Sequence, residues 1–290
     1  MRRARAEILS ARRLGAFHSL TLVAPEIAER ARPGQFVAIG MPEDRSFFLR
    51  RHFFIHQASK RGGWAGTLEI GFGRGGPGTE WLASRRAHGF LDVIGPLGKP
   101  FAYPRRLTNC FLVADGHGAA PLYFLGQELR SRGKRVDMLV GAPSLEEVFK
   151  PIEAKRLSQT VAFVTSDGSL GERGAVVDLL PEMLDRSGAE VLYAAGPRET
   201  LRSIADVCRA RRLPAQVAVE ERMGCGLGLC FTCVVPVIRK DGSGYDNLRA
   251  CVEGPVLNPE RIFWDRWAPV GQRSTPTPVE GFPVVREWPE

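Results

Sequence analysis

The sequence predicts a multidomain protein of β plus α/β class, on three observations. Residues 1–103 break into short β-prone runs separated by Pro and Gly. From about Asn109 onward, apolar runs alternate with helix-periodic stretches. Residues 216–267 carry four cysteines within 27 positions, the first three in a glycine-rich loop. The chain has 290 residues. A single core rarely grows past roughly 250–300 residues, so two or three domains are expected.

In the first part, residues 6–9, 36–39 and 67–72 read as strands. Pro33-Gly34, Gly62-Gly63 and Gly75-Gly76-Pro77 punctuate them, and 91–94 is a closing strand before Gly95-Pro96-Leu97-Gly98. Many short strands with frequent turns make a sandwich or a small barrel. Two segments here carry chemistry. Leu49-Arg50-Arg51-His52-Phe53-Phe54-Ile55 sets arginines beside aromatic residues. An arginine so placed can fork onto a pyrophosphate, although a strand with snorkelling arginines is the commoner arrangement. Gly73 to Thr79 is a glycine-rich turn leading into Glu80-Trp81-Leu82-Ala83. Such a turn offers backbone N–H groups to an anion, or Thr79 serves simply as a helix cap.

In the second part, 110–114 is a buried strand, followed by Asp115-Gly116-His117-Gly118 and a helical stretch over 119–129. Strands at 136–140, 160–164 and 191–195 then alternate with helices at 176–184 and 200–211. This alternation predicts a parallel sheet over 104–215. The turn holding Gly116 and Gly118 occupies the place of a dinucleotide loop, although its spacing is not G-x-G-x-x-G. Gly196-Pro197 ends another strand, and Asp167-Gly168-Ser169 with Gly171 can line the same crevice. Each of these is equally compatible with turn chemistry.

The cysteine spacing is C-x4-C-x2-C-x17-C, from Cys225, Cys230, Cys233 and Cys251. It matches the plant-type [2Fe–2S] pattern. Three thiolates come from one tight loop and the fourth from a distant segment, and the glycines let backbone N–H groups approach sulfur. Structural zinc sites more often show paired C-x2-C knuckles. Cys110 and Cys208 stand alone on apolar segments and read as inert core residues. No Ser–His–Asp arrangement is readable; His18, His56 and His88 read as surface or packing residues. The segment 268–290 is proline-rich and aperiodic, and reads as an extended tail.

Composition narrows the function classes. The net charge is +8, but the basic residues are scattered, with no run of five, which argues against nucleic-acid binding. The N-terminus has charge and no apolar core of a secretory signal, and no stretch reaches the ~18 apolar residues of a membrane span. A cytoplasmic location is expected, in keeping with cysteines spaced as metal ligands and not as a disulfide framework.

The order of these segments resembles the electron-transfer subunits of NAD-dependent dihydroorotate dehydrogenases, within the ferredoxin–NADP reductase-like family. The resemblance covers residues 1 to about 267. Its most specific part is Glu221-Arg222-Met223-Gly224-Cys225-Gly226 with Cys251-Val252-Glu253-Gly254-Pro255. It implies an N-terminal antiparallel β-barrel (1–103), a central parallel-sheet nucleotide-binding domain (104–215) and a small C-terminal [2Fe–2S] domain (216–267). It further implies FAD at Arg51, His52, Phe53 and Phe54, along Leu68, Glu69 and Ile70, and at Gly78 and Thr79. NAD, as co-substrate, is expected at Gly116, Gly118, Gly196 and Pro197. The implied partner is a catalytic FMN subunit oxidising dihydroorotate to orotate in pyrimidine biosynthesis, in a heterotetramer. The chain departs from the family at His52 (Pro there), Phe54 (Ser or Thr), Ala114 and Asp115 (Gly), and Ala195 (Cys). Two other readings stay open: a similar subunit serving a sulfide dehydrogenase, sulfite reductase or hydrogenase, and a non-catalytic iron–sulfur module.

Overall fold

Alternating apolar residues on the N-terminal strands need a shared interior, and closing the strands into a barrel provides it while removing exposed edges. The computed structural model describes residues 1–41, 48–103 and 105–267. The expected tail from residue 268, and residue 104 at the expected domain boundary, lie outside the described residues. The elements of the first part are β1 (Arg2–Leu14), β2 (Phe17–Val23), α1 (Pro25–Ala28), β3 (Phe36–Gly40), β4 (Arg51–Ser59), β5 (Thr67–Gly73), α2 (Pro77–Ala83) and β6 (Phe90–Leu97). The six strands close in the order β1-β2-β5-β4-β3-β6. Their neighbours pair antiparallel throughout. Ile8, Leu20, Leu22, Val37, Ile39, Ile55, Leu68 and Ile70 fill the interior.

Two strands extend beyond the sequence reading. β1 runs well past 6–9, because its flanking arginines face outward and mask the alternation. β4 was visible only as the arginine–aromatic segment. Arg50 and Arg3 both pair with Asp92 on β6, with Arg3 Nε 2.9 Å from the carboxylate.

The second part contains β7 (Asn109–Asp115), α3 (Ala119–Ser131), β8 (Arg135–Ala142), α4 (Pro151–Leu157), β9 (Thr160–Thr165), β10 (Glu172–Arg173), α5 (Val176–Ser187), β11 (Val191–Ala195), α6 (Arg198–Arg211) and β12 (Ala215–Ala218). Strands β7, β8, β9, β11 and β12 are parallel, with β7 at the centre. Successive residues of β7 go to opposite faces: Phe111 and Val113 into one core, Cys110, Leu112 and Ala114 into the other. Burial pushes the Cys110 thiol up to about 11 and the Cys208 thiol up to about 12, so neither is a nucleophile at neutral pH.

The last described part adds β13 (Val234–Ile238), β14 (Tyr245–Arg249) and β15 (Val256–Leu257). β13 and β14 form an antiparallel hairpin. The stretch 240–247 is mostly polar. The strand begins inside it, because Asp246 and Asn247 are exposed and conceal the pairing. β15 pairs with β12 and extends the sheet of the second part. The sheet therefore crosses the boundary expected at 215 and carries the cysteine-rich segment on its edge.

A charged cluster ties the barrel to the sheet. His56 of β4 is fully buried, and its ring nitrogens lie 3.4 Å from the Ala120 carbonyl and 3.2 Å from Glu153. Lys150 Nζ reaches Glu69 of β5 at 2.6 Å and His56 at 3.1 Å. His56 is thus a packing residue with a polar duty that composition could not reveal.

Candidate cofactor cavity and cluster loop

The carboxyl ends of the parallel strands open on the barrel, and a cavity of about 820 Å³ lies between them. That volume falls within the range of cofactor sites, roughly 300–1,000 Å³. On the barrel side it is lined by Phe36 of β3, by His52, Phe53 and Phe54 of β4, by residues 71–75 and by Thr79. On the sheet side it is lined by Asp115, Gly116 and His117 after β7, by 141–143 after β8, by Ser166 after β9 and by Pro197 after β11. The chain turns to β8 on one side of β7 and to β11 on the other, so the Gly116 turn sits at a topological switch point, where open α/β sheets bind ligands.

The expected flavin residues separate into two groups. His52, Phe53, Phe54 and Thr79 line the cavity. Arg51 packs over Gly78, where an added Cβ would sit 2.5 Å from Nε; its Nη1 donates to the Leu49 carbonyl at 2.8 Å. Leu68, Glu69 and Ile70 are not in the cavity lining. Leu68 and Ile70 point into the barrel core, and Glu69 joins Lys150 and Ser19 on the other side. The cavity is reached only by the next residues of β5, Gly71 to Gly73, where the strand emerges from the core. Thr79 lies inside α2, its hydroxyl 2.9 Å from the Gly76 carbonyl and accepting from Gly75 N–H, so it is not a simple cap.

The nucleotide-side residues are partly occupied by one another. Gly116 and Pro197 line the cavity. Gly118 and Gly196 instead permit close packing, since a Cβ on Gly118 would lie 2.2 Å from the Ala195 carbonyl. Asp115 accepts from Thr200 Oγ1 at 2.6 Å, so its carboxylate is engaged and not bare. His117 Nε2 lies 2.9 Å from Glu220, and that carboxylate raises the imidazole above its ordinary value.

The cluster loop adjoins this cavity through Met223. Backbone N–H groups of Leu227 and Leu229 each approach Cys225 Sγ at 3.3 Å, and Cys225 N–H approaches Cys230 Sγ at 3.3 Å. Thr232 Oγ1 donates to Cys230 Sγ at 3.2 Å. That hydroxyl, with the Cys225 and Thr232 backbone, pulls the Cys230 thiol down to about 6. Cys233 and Cys251 are buried, and Cys251 is pushed up to about 12 by burial and by Cys233 beside it. Gly226 and Gly228 hold φ of +69° and +85°, and both face neighbours closer than any Cβ would allow. Arg249 buttresses the loop, donating to the Gly228 carbonyl at 2.9 Å while paired with Glu253. Among the described residues no His, Cys, Asp or Glu trio is set for a single metal ion. A two-iron cluster needs wider thiolate spacing, and N–H groups aimed at sulfur are the donors such a cluster requires. The residues fit that group. Thr232 and Arg249 escaped sequence reasoning, since nothing in their spacing announces a role.

Fold and site together define a flavin- and iron–sulfur-dependent reductase subunit of the ferredoxin–NADP reductase fold. Residues 220–263 match the iron–sulfur cluster binding domain of dihydroorotate dehydrogenase B. The chain is 34% identical to a dihydroorotate dehydrogenase B (NAD(+)) electron transfer subunit from Desulforamulus reducens, over 83% of this chain and 90% of the relative. It is 35% identical to the like-named subunit from Shouchella clausii, over the same shares. The chain belongs to this family of electron transfer subunits. Among solved structures it is similar to the NADH-dependent reduced ferredoxin–NADP oxidoreductase studied for flavin-based electron bifurcation. There the TM-score is 0.77 at 26% identity, covering 90% of this chain and 91% of that one. A ferredoxin NADP+ reductase from Neisseria gonorrhoeae shares the fold, with a TM-score of 0.57 at 18% identity over 72% and 92%. No helix among the described residues is long and apolar enough to cross a membrane.

Proposed function

We propose that this chain passes electrons between a catalytic FMN subunit that oxidises dihydroorotate to orotate and NAD+, with Cys225, Cys230, Cys233 and Cys251 holding a [2Fe–2S] cluster. FAD is held by Arg51, His52, Phe53, Phe54, Gly78 and Thr79, and NAD approaches Gly116 and Pro197. When bound, the cluster supplies one-electron chemistry and the flavin links it to hydride chemistry. The observation that carries this reading is that the arginine–aromatic strand, the ends of the parallel strands and the segment leading into the cluster loop, up to Met223, line one cavity. Arg51 packs against Gly78, and in this reading its guanidinium reaches the pyrophosphate. The aromatic wall of Phe36, Phe53 and Phe54 offers an apolar bed for a planar ring and keeps water from it.

The partner is proposed to dock over the cluster loop. Leu229 is 79% exposed and Phe231 58% exposed, with Leu227 and Val252 beside them. An apolar rim around a redox centre is what a subunit interface covers. The assembly proposed is a heterotetramer in the cytoplasm. A second reading, the same cofactors serving another redox partner, draws support from the likeness to the bifurcating oxidoreductase across nearly its whole length.

The test is the visible spectrum of the anaerobically purified chain before and after NADH. Flavin bands and broad cluster absorption, both bleached, support the reading. Flavin that NADH leaves oxidised removes NAD from it. Dihydroorotate oxidation by the loaded complex with its catalytic subunit then separates the two partner readings.

A further inference from the structure

His52 is the one expected flavin residue that also touches the cluster loop. Its ring lies edge-on to Phe36, with centroids 5.8 Å apart, and forms part of the cavity wall. On its far side a Cβ added to Gly226 would sit 2.2 Å from Nε2. Gly226 directly follows Cys225. The imidazole therefore spans the space between the strand that forms the cavity and the loop that carries the thiols. The ring is buried beside the Cys225 backbone, and its Nε2 makes no hydrogen bond of ordinary geometry among the described residues. Close packing against Phe36 and Gly226 therefore holds the ring. Burial, with Arg51 and Arg50 nearby and against the pull of the Cys225 backbone, lowers the ring from its ordinary value.

Resting on the function proposed above, we propose that His52 is a positioning residue that joins the cofactor cavity to the cluster loop and sets the rate at which electrons cross between them. One electron leaves one redox group and reduces the other by one, with no bond made or broken and no proton required. The crossing rate then depends on distance and on how continuously atoms fill the path. An imidazole wedged between Phe36 and Gly226 fills it and excludes water. It also fixes the loop against β4, because Gly226 has no side chain to hold it off.

The experiment uses the full-length chain loaded with cluster and flavin. The flavin is photoreduced by a flash in the presence of a sacrificial amine electron donor, and cluster reduction is followed in its visible band; flavin content, iron content and the electron paramagnetic resonance of the reduced cluster are recorded alongside. With His52→Ala the cluster is expected to be reduced several-fold more slowly, the rate being taken only over chains that carry both cofactors, with a broadened resonance from a loosened loop. With His52→Phe, which fills the same space without nitrogen, the rate is expected to return. A loaded His52→Ala chain that matches the wild type in rate and resonance overturns the proposal. So does a His52→Phe chain as slow as His52→Ala, since packing would then not be the cause. A wild-type chain that takes up no flavin or no cluster sinks the proposed function instead, and this inference with it.

Discussion

The cluster loop and the cofactor cavity are assembled in opposite ways. Three of the four thiols, and the N–H groups that approach sulfur, come from residues 225–233, with Cys251 added from the end of a hairpin. The cavity draws its wall from β3, β4 and β5, from the ends of four parallel strands and from 219–223. Local chemistry builds the first, and long-range packing builds the second. The comparison teaches that the loop should fail by losing its ligand, and the cavity by losing fit, with Gly226 and His52 the seam where one failure reaches the other.

The largest effect is expected at a ligand. Cys233→Ser, at a buried thiol, should abolish the cluster absorption and bring iron content near zero while flavin binding persists. Loss of flavin as well would show that the two regions are one unit and break the comparison. Next is the seam. Gly226→Ala places a Cβ against His52 in a backbone of φ +69°, so about 1–3 kcal/mol of stability should be lost, read from thermal denaturation. Here both cofactor signals should shift together.

On the cavity side alone, Arg51→Ala should weaken FAD binding by roughly tenfold or more, the worth of a charge-assisted hydrogen bond of about 1.5–3 kcal/mol, with the cluster spectrum unchanged. Fluorescence titration of FAD reads this, and Arg51→Lys should not restore it because the fork is lost. On the loop side alone, Arg249→Met removes the donor to Gly228 and should cost about 0.5–1.5 kcal/mol, seen as faster iron loss to a chelator.

The smallest effect is a pH dependence at the tie between barrel and sheet. Burial opposes ionisation of Glu153, but His56 and Lys150 hold it below its ordinary value of 4.5. A depressed carboxyl contributes stability in full above that value and loses it as pH falls through the folded value. Glu153→Gln should therefore lower the melting temperature at pH 7, and the gap to the wild type should close on acidification below about 4.5. A gap that is constant with pH would assign the residue a packing role only.

Legibility followed the same division. The cysteine set was readable because thiolate spacing is imposed by cluster geometry over a few residues. Strands such as 110–114 and 191–195 were readable because burial on both faces leaves unbroken apolar runs. β1 was under-read because outward charges hid its alternation. Leu68, Glu69 and Ile70 sit on the correct strand but face the core and the ionic cluster, since alternation and the barrel wall decide which side a residue meets. His56 could not be placed, because its partners lie 64 to 97 positions away.

By itself the sequence determined the division into β and α/β parts, the thiol set and the glycine-rich turns, all of which rest on periodicity, spacing or local backbone freedom. Only the tertiary structure decided that the sheet runs past 215 to take the hairpin segment on its edge, that Asp115 is engaged by Thr200, and that His52 meets Gly226. Those are contacts between segments far apart in the chain. They depend on how the barrel closes and where it docks on the sheet, which no local pattern encodes.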